Sequence, residues 1–170
     1  PLILPITVSE MPIHLRHALG EQILQGLLNG LAFCLLAYSL IQWVTQRDRM
    51  FGFYALVVLG SAGFSLQFFG IGPQYLWPNN PWMDLHSGPA AGLMALTGSF
   101  LFLGHTLAGD NPNGRYARTM RVGAGITAAV CIALVLGWLS VPLAIAFMSL
   151  AGALPSLISL PAALARVRQK

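Results

Sequence analysis

Charge is the scarcest commodity in this chain: Asp, Glu, Lys and Arg make up 8% of its 170 residues, against roughly 25% in an ordinary soluble domain. Hydrophobic residues reach 56% and the mean hydropathy is +0.70, more apolar surface than a soluble fold of this length can hide. The composition therefore defines an integral membrane protein. Acids are rarest of all, five in number and scattered as Glu10, Glu21, Asp48, Asp84 and Asp110, which leaves no acidic cluster for metal or acid–base chemistry. No phosphate-binding loop, zinc-protease helix or nucleophile–base set is present either, so no catalytic residue, metal site or cofactor is expected. The basic residues do not gather into a nucleic-acid-binding face. Two cysteines, Cys34 and Cys131, lie mid-way along apolar runs, where thiols ordinarily pack as small hydrophobes. Pro1 to Arg16 lacks the basic start of a signal peptide, and the chain opens on Pro, as an internal segment of a longer protein would.

What is present is a succession of apolar runs. They predict an all-α membrane protein, a bundle of about five transmembrane helices over residues 21–44, 51–69, 85–108, 121–139 and 143–165. In the first run, Glu21, Gln25 and Asn29 recur every four residues and share a face, with Gln67 of the second helix near enough in level to join them. Such a face suits either interhelical hydrogen bonding or a ligand site. Gly26 with Gly30, Gly60 with Gly63, and Gly88 with Gly92 are spaced for close helix crossings. His14 and His17 stand three apart with no further ligand nearby, which reads as a solvated pair. Pro155 predicts a kink in the fifth helix.

Between the second and third runs lies Gln74-Tyr-Leu-Trp-Pro-Asn-Asn-Pro-Trp82. Its prolines argue against continued helix, and Tyr75, Trp77, Pro78 and Trp82 suit the membrane surface. Three roles fit: an interfacial anchor, a direct ligand contact, or a coupling element docked against an outer domain.

Sorting the basic residues by side gives an orientation. If the turn after the first helix is cytoplasmic, Arg47, Arg49, Arg115, Arg118, Arg121, Arg166, Arg168 and Lys170 all fall on that side and only Arg16 opposes them. The positive-inside rule then places the N-terminus outside, the C-terminus inside, and the aromatic turn outside.

The run Arg47-Asp-Arg-Met-Phe-Gly-Phe-Tyr-Ala-Leu56, followed by Gln74 to Trp82, resembles the membrane region of bacterial seven-transmembrane receptors with diverse intracellular signalling modules, over roughly Leu2 to Leu107. The segment Leu4-Pro-Ile-Thr-Val-Ser-Glu10 is similar to the end of that family's periplasmic β-sandwich domain. The resemblance implies that residues 1–20 close a sensor domain plus linker, that residues 21–165 are a fragment of a seven-helix bundle cut between helices five and six, and that residues 166–170 form a cytoplasmic basic turn. It further implies a bacterial inner-membrane protein that relays a periplasmic signal. Its expected partners are the lipid bilayer, a small-molecule or carbohydrate-like ligand, a cytoplasmic output module in cis (diguanylate cyclase or histidine kinase) and a second copy of the chain. The rival readings are a small transporter or channel subunit using Glu21, Gln25, Asn29 and Gln67, and a lipid-modifying enzyme using Asp84 and His86.

Overall fold

The computed structural model describes residues 11–108, 114–157 and 160. Five α-helices follow in order: α1 Met11–Gln46, α2 Arg49–Phe68, α3 Pro81–Ala108, α4 Arg115–Val135 and α5 Val141–Gly152, with a π-helical turn at Gly72–Leu76 between α2 and α3. The first four hold apolar spans long enough to cross a bilayer, and Val141–Leu157 forms a shorter apolar helical stretch. The all-α membrane bundle read from composition is thus what the chain builds.

The central helix is α3, which packs against α2, α4 and α5, while α1 packs mainly against α2. On one side Leu96 and Phe100 of α3 are buried with Met120 and Ala124 of α4 and Ala151 of α5. Nearer the aromatic turn, Leu93 is sealed by Leu134 and Ala144. These layers are thin because the outer surface is itself apolar: Ile23, Leu27 and Leu31 of α1 are 71%, 69% and 57% exposed. Lipid tails are as apolar as leucine, so such a surface loses nothing in a bilayer, and packing among helices is left to small residues and hydrogen bonds.

Close crossings occur where the α2–α3 hairpin brings backbones together. A Cβ on Gly60 would stand 2.7 Å from the Ala91 carbonyl oxygen and closer still to the Ala95 amide nitrogen. One on Gly98 would stand 2.9 Å from the Val57 nitrogen. Gly88 lies against Gln67, and Gly92 against Met148 and Phe64. The pair Gly26 and Gly30, by contrast, meets nothing within 4 Å among the described residues, which hold no crossing at that pair. A small-residue pair permits approach but does not compel it, and α1 instead meets α2 further along, with Trp43 laid over Gly52. Cys34 is exposed on the same helix, against the packing expected of it. Cys131 does pack, its Sγ 3.6 Å from the Ala90 carbonyl oxygen.

Several boundaries differ from those the apolar runs predict. Helix α1 begins by Met11, so residues 11–20 are helical where a linker was expected. At 36 residues it is about 54 Å long, well beyond a hydrocarbon core of about 30 Å. Helix α2 starts at Arg49, capped by Asp48, whose carboxylate accepts from the Met50 N–H at 2.9 Å. Helix α4 begins six residues before the predicted Arg121 and stops at Val135. Gly137, at φ +75°, ends it: the Trp138 N–H reaches the Ala133 carbonyl and the Gly137 N–H the Leu134 carbonyl, the paired bonds of a glycine-terminated helix. Trp138 therefore lies beyond the helix, 82% exposed. Helix α5 stops at Gly152, before Pro155, with one more helical turn after Ala153. The break precedes the proline because the ring obstructs the turn before it and its nitrogen has no hydrogen to donate. The segment Leu4 to Glu10, similar to the end of a β-sandwich domain, and Arg166, Arg168 and Lys170 lie outside the described residues.

Candidate functional site

The antiparallel packing of α2 on α3 and of α3 on α4 gives the bundle two chemically distinct ends. Phe53 of α2 meets His105 of α3, and Tyr54 meets Phe102, at one end, while Gln67 meets Asp84 at the other. Arg47, Arg49, Arg115, Arg118 and Arg121 accordingly share one end, the basic end. Tyr75, Trp77, Pro78 and Trp82 share the opposite, aromatic end.

The aromatic turn is more ordered than its prolines suggest. Gly70 takes φ +73°, a left-handed conformation that glycine accepts without a Cβ penalty, and releases the chain from α2 into the π turn, with Pro73 near its start. The Trp77 N–H closes that turn on the Gly72 carbonyl at 3.0 Å. The Trp77 indole folds back over Gly72, so closely that any Cβ there would strike the ring. Asn79, at φ +67°, then reverses direction, as asparagine tolerates better than most residues. Asn80 caps α3, its side-chain oxygen accepting from the Met83 N–H at 3.2 Å, and Pro81 takes the first helical position, where its missing N–H costs nothing. The prolines thus start helical turns instead of merely breaking them.

Beneath this turn, three side chains lock α2 to α3. The Gln67 amide donates to the Asp84 carbonyl at 2.7 Å and to the Asp84 carboxylate at 2.9 Å, and the Ser87 hydroxyl donates to the Gln67 carbonyl oxygen at 2.9 Å. His86 faces elsewhere, stacked on Trp82 with ring centroids 4.7 Å apart and Nδ1 2.9 Å from the Trp82 carbonyl oxygen. Tyr75 is 72% exposed, whereas the Trp77 ring nitrogen is buried and has no hydrogen-bond partner among the described residues.

Of the four residues of the expected polar face, Gln67 turns to α3. Gln67 spends its hydrogen bonds on α3, away from α1, because Asp84 and Ser87 sit directly across the hairpin. Gln25 and Asn29 stay half-buried on α1, and the Glu21 side chain lies outside the described residues. Asp84 and His86 likewise have separate partners and do not form a pair. The membrane-level groove of about 440 Å³ between α2, α3 and α4 is walled mainly by Leu56, Met94, Ile132, Val135 and alanines; the two polar residues that line it, Thr97 and Cys131, are already bonded to the Leu93 and Ala90 carbonyls, so it offers mainly van der Waals contact. Among the described residues no three His, Cys, Asp or Glu side chains gather around a possible metal position. Pattern reading missed Asp84 and Ser87 as the partners of Gln67. An Asp and a Ser three apart near a helix start, opposite a lone intramembrane Gln, were the available signal.

A multi-pass α-helical membrane domain with one basic and one aromatic end, lacking an assembled catalytic set among its described residues, is the class these features define. A family model described as 7TM diverse intracellular signalling matches residues 21–170, and the chain belongs to that family. The match runs past the residues whose motifs carry the resemblance, through Arg166, Arg168 and Lys170, and leaves out residues 1–20. No curated protein and no solved structure matches the chain. The family's description makes this a membrane domain of signalling receptors.

Proposed function

We propose that the domain relays a periplasmic ligand signal, from a small molecule or carbohydrate-like compound, across the bacterial inner membrane to a cytoplasmic diguanylate cyclase or histidine kinase module in cis. The aromatic end faces the periplasm and the basic end the cytoplasm, in line with the charge asymmetry of the turns. The observation that carries this reading is the construction of the α2–α3 hairpin. Its turn is hydrogen-bonded from Gly70 to Met83, its mouth is cross-linked through Gln67, Asp84 and Ser87, and its shaft is fixed by backbone contact at Gly60 and Gly98. A displacement imposed on Trp77 or Trp82 has no slack to absorb it and must move the hairpin as a unit. The Arg49 end of α2 and the His105 end of α3 then shift too. A ligand drives such a shift only by its differential affinity for two arrangements of the bundle.

The test is ligand-stimulated output of the full-length receptor bearing Trp77→Ala, Trp82→Ala, or Gln67→Leu. The expected outcome is that basal output and membrane insertion persist while the stimulated increment falls several-fold, most for Gln67→Leu, which frees the hairpin mouth. A full increment in all three variants would reduce the aromatic turn to an anchor and remove the relay.

A further inference from the structure

On α4, the residues that meet α3, among them Ala117, Met120, Ala124 and Thr127, are buried. The face turned the other way begins with two arginines and continues as apolar side chains. Arg115, Arg118, Thr119 and Val122 surround an open hollow of about 410 Å³ at the start of the helix. From there Val122 and Ile126, 54% and 50% exposed, and the exposed Ala129 run on down the helix at spacings of four and three residues, the repeat that keeps side chains on one face. Neither the Arg115 nor the Arg118 guanidinium has a carboxylate partner among the described residues. Thr119 does not compete for them, because its hydroxyl is turned back to the Arg115 carbonyl at 2.9 Å. Two cations with no carboxylate partner among the described residues, at the head of an apolar stripe in a helix long and apolar enough to span a membrane, are complementary to a molecule with an anionic head and a long apolar tail.

We infer that this hollow is a binding site for one anionic phospholipid, its phosphate held between Arg115 and Arg118 and one acyl chain laid along Val122, Ile126 and Ala129. Guanidinium groups suit the task because their planar N–H forks match phosphate oxygens two at a time. The stripe selects a lipid over a free phosphate, since the anion alone leaves Val122 and Ile126 uncovered. The site depends only on the basic end meeting a head-group region, so it holds whichever side of the membrane that end faces.

The experiment is native mass spectrometry of the purified full chain, released from detergent containing equal amounts of phosphatidylglycerol and phosphatidylcholine. The wild type is expected to retain one phosphatidylglycerol selectively. The double variant Arg115→Gln/Arg118→Gln is expected to lose about 30-fold in that selectivity, the product of two basic contacts of ordinary strength. The charge-matched control Arg47→Gln/Arg49→Gln, at the same end, should leave it within about 3-fold of wild type, and Arg115→Lys/Arg118→Lys should keep most of it, which shows that the helix start still folds. Millimolar inorganic phosphate should not displace the lipid. Non-selective retention in the wild type, equal losses in the control pair, a lysine pair as weak as the glutamine pair, or displacement by phosphate alone would each overturn the assignment.

Discussion

At Gly60 the absence of a side chain is a structural requirement, because the backbone of α3 occupies the space a methyl group would take. Backbone cannot rotate aside as a side chain can, so Gly60→Ala must push α2 and α3 apart. Overpacking of this kind costs about 1–3 kcal/mol. Gly125 of α4 provides the contrast, with nothing within 4 Å of its added Cβ. Gly125→Ala should therefore leave stability unchanged or raise it slightly, because alanine loses less backbone freedom in a helix than glycine does. Unfolding in mixed micelles of rising SDS content checks the pair: a clearly earlier midpoint for Gly60→Ala and none for Gly125→Ala. Equal midpoints would show that the α2–α3 contact is looser than its geometry. Little of this was legible in the chain. Glycine at four-residue spacing marks both Gly26/Gly30, which meet nothing, and Gly88/Gly92, which are filled by neighbours, and the backbone contact at Gly98 belongs to no such pair. Which glycines matter is decided by the partner helix, and the partner is not written beside them.

Among the helices, existence was legible and edges were not. Runs of twenty apolar residues announce a span wherever they occur, but the charged stretch Gly109 to Met120 reads as a turn by its Asn, Pro and Gly content, whereas α4 already begins at Arg115. Arginine and alanine are good helix formers, and the effective stops are glycines: Gly114 takes the position before the first turn of α4 and Gly137 the position after its last. The start of α3 was written plainly in Asn80-Pro81, an N-cap followed by a first-position proline, although the aromatic residues around it read as a loop. What no run of residues displays is how the helices hold one another. The Thr97 hydroxyl of α3 lies 2.9 Å from the Thr127 hydroxyl of α4, 30 positions away, while each also turns back to its own helix, Thr97 to the Leu93 carbonyl and Thr127 to the Gly123 and Ala124 carbonyls. That back-bonding keeps either hydroxyl satisfied when the other is removed. The cross-helix coupling should accordingly be small, about 0.6 kcal/mol, near the average for membrane helices. A double-mutant cycle of Thr97→Val and Thr127→Val by the same SDS titration measures it directly. A coupling well above about 1.7 kcal/mol, the upper end found for such bonds, would mean that the pair clamps α3 to α4.

For the molecule as a whole, the governing feature is that charge has been swept to one end and aromatic surface to the other. Five arginines gather where α1 meets α2 and where α4 begins, and the described residues at the aromatic turn carry one acid, Asp84, and no Lys or Arg. In the proposed orientation the basic end stays in the cytoplasm, and the aromatic end, with Tyr75 and Trp82 exposed, meets the far head groups. This assignment fixes which end receives the stimulus in the proposed relay, so it merits a measurement independent of signalling. With Cys34 and Cys131 replaced by Ala, single cysteines at Asn79 and Thr45, both exposed, sample the two ends. In intact spheroplasts a membrane-impermeant maleimide should label Asn79→Cys and leave Thr45→Cys untouched until the membrane is opened. The reverse pattern would place the aromatic turn in the cytoplasm and send any signal through the hairpin in the opposite direction. Labelling at both positions in intact cells would mean that the chain inserts in two orientations, which an asymmetry of five arginines against Arg16 alone is expected to prevent.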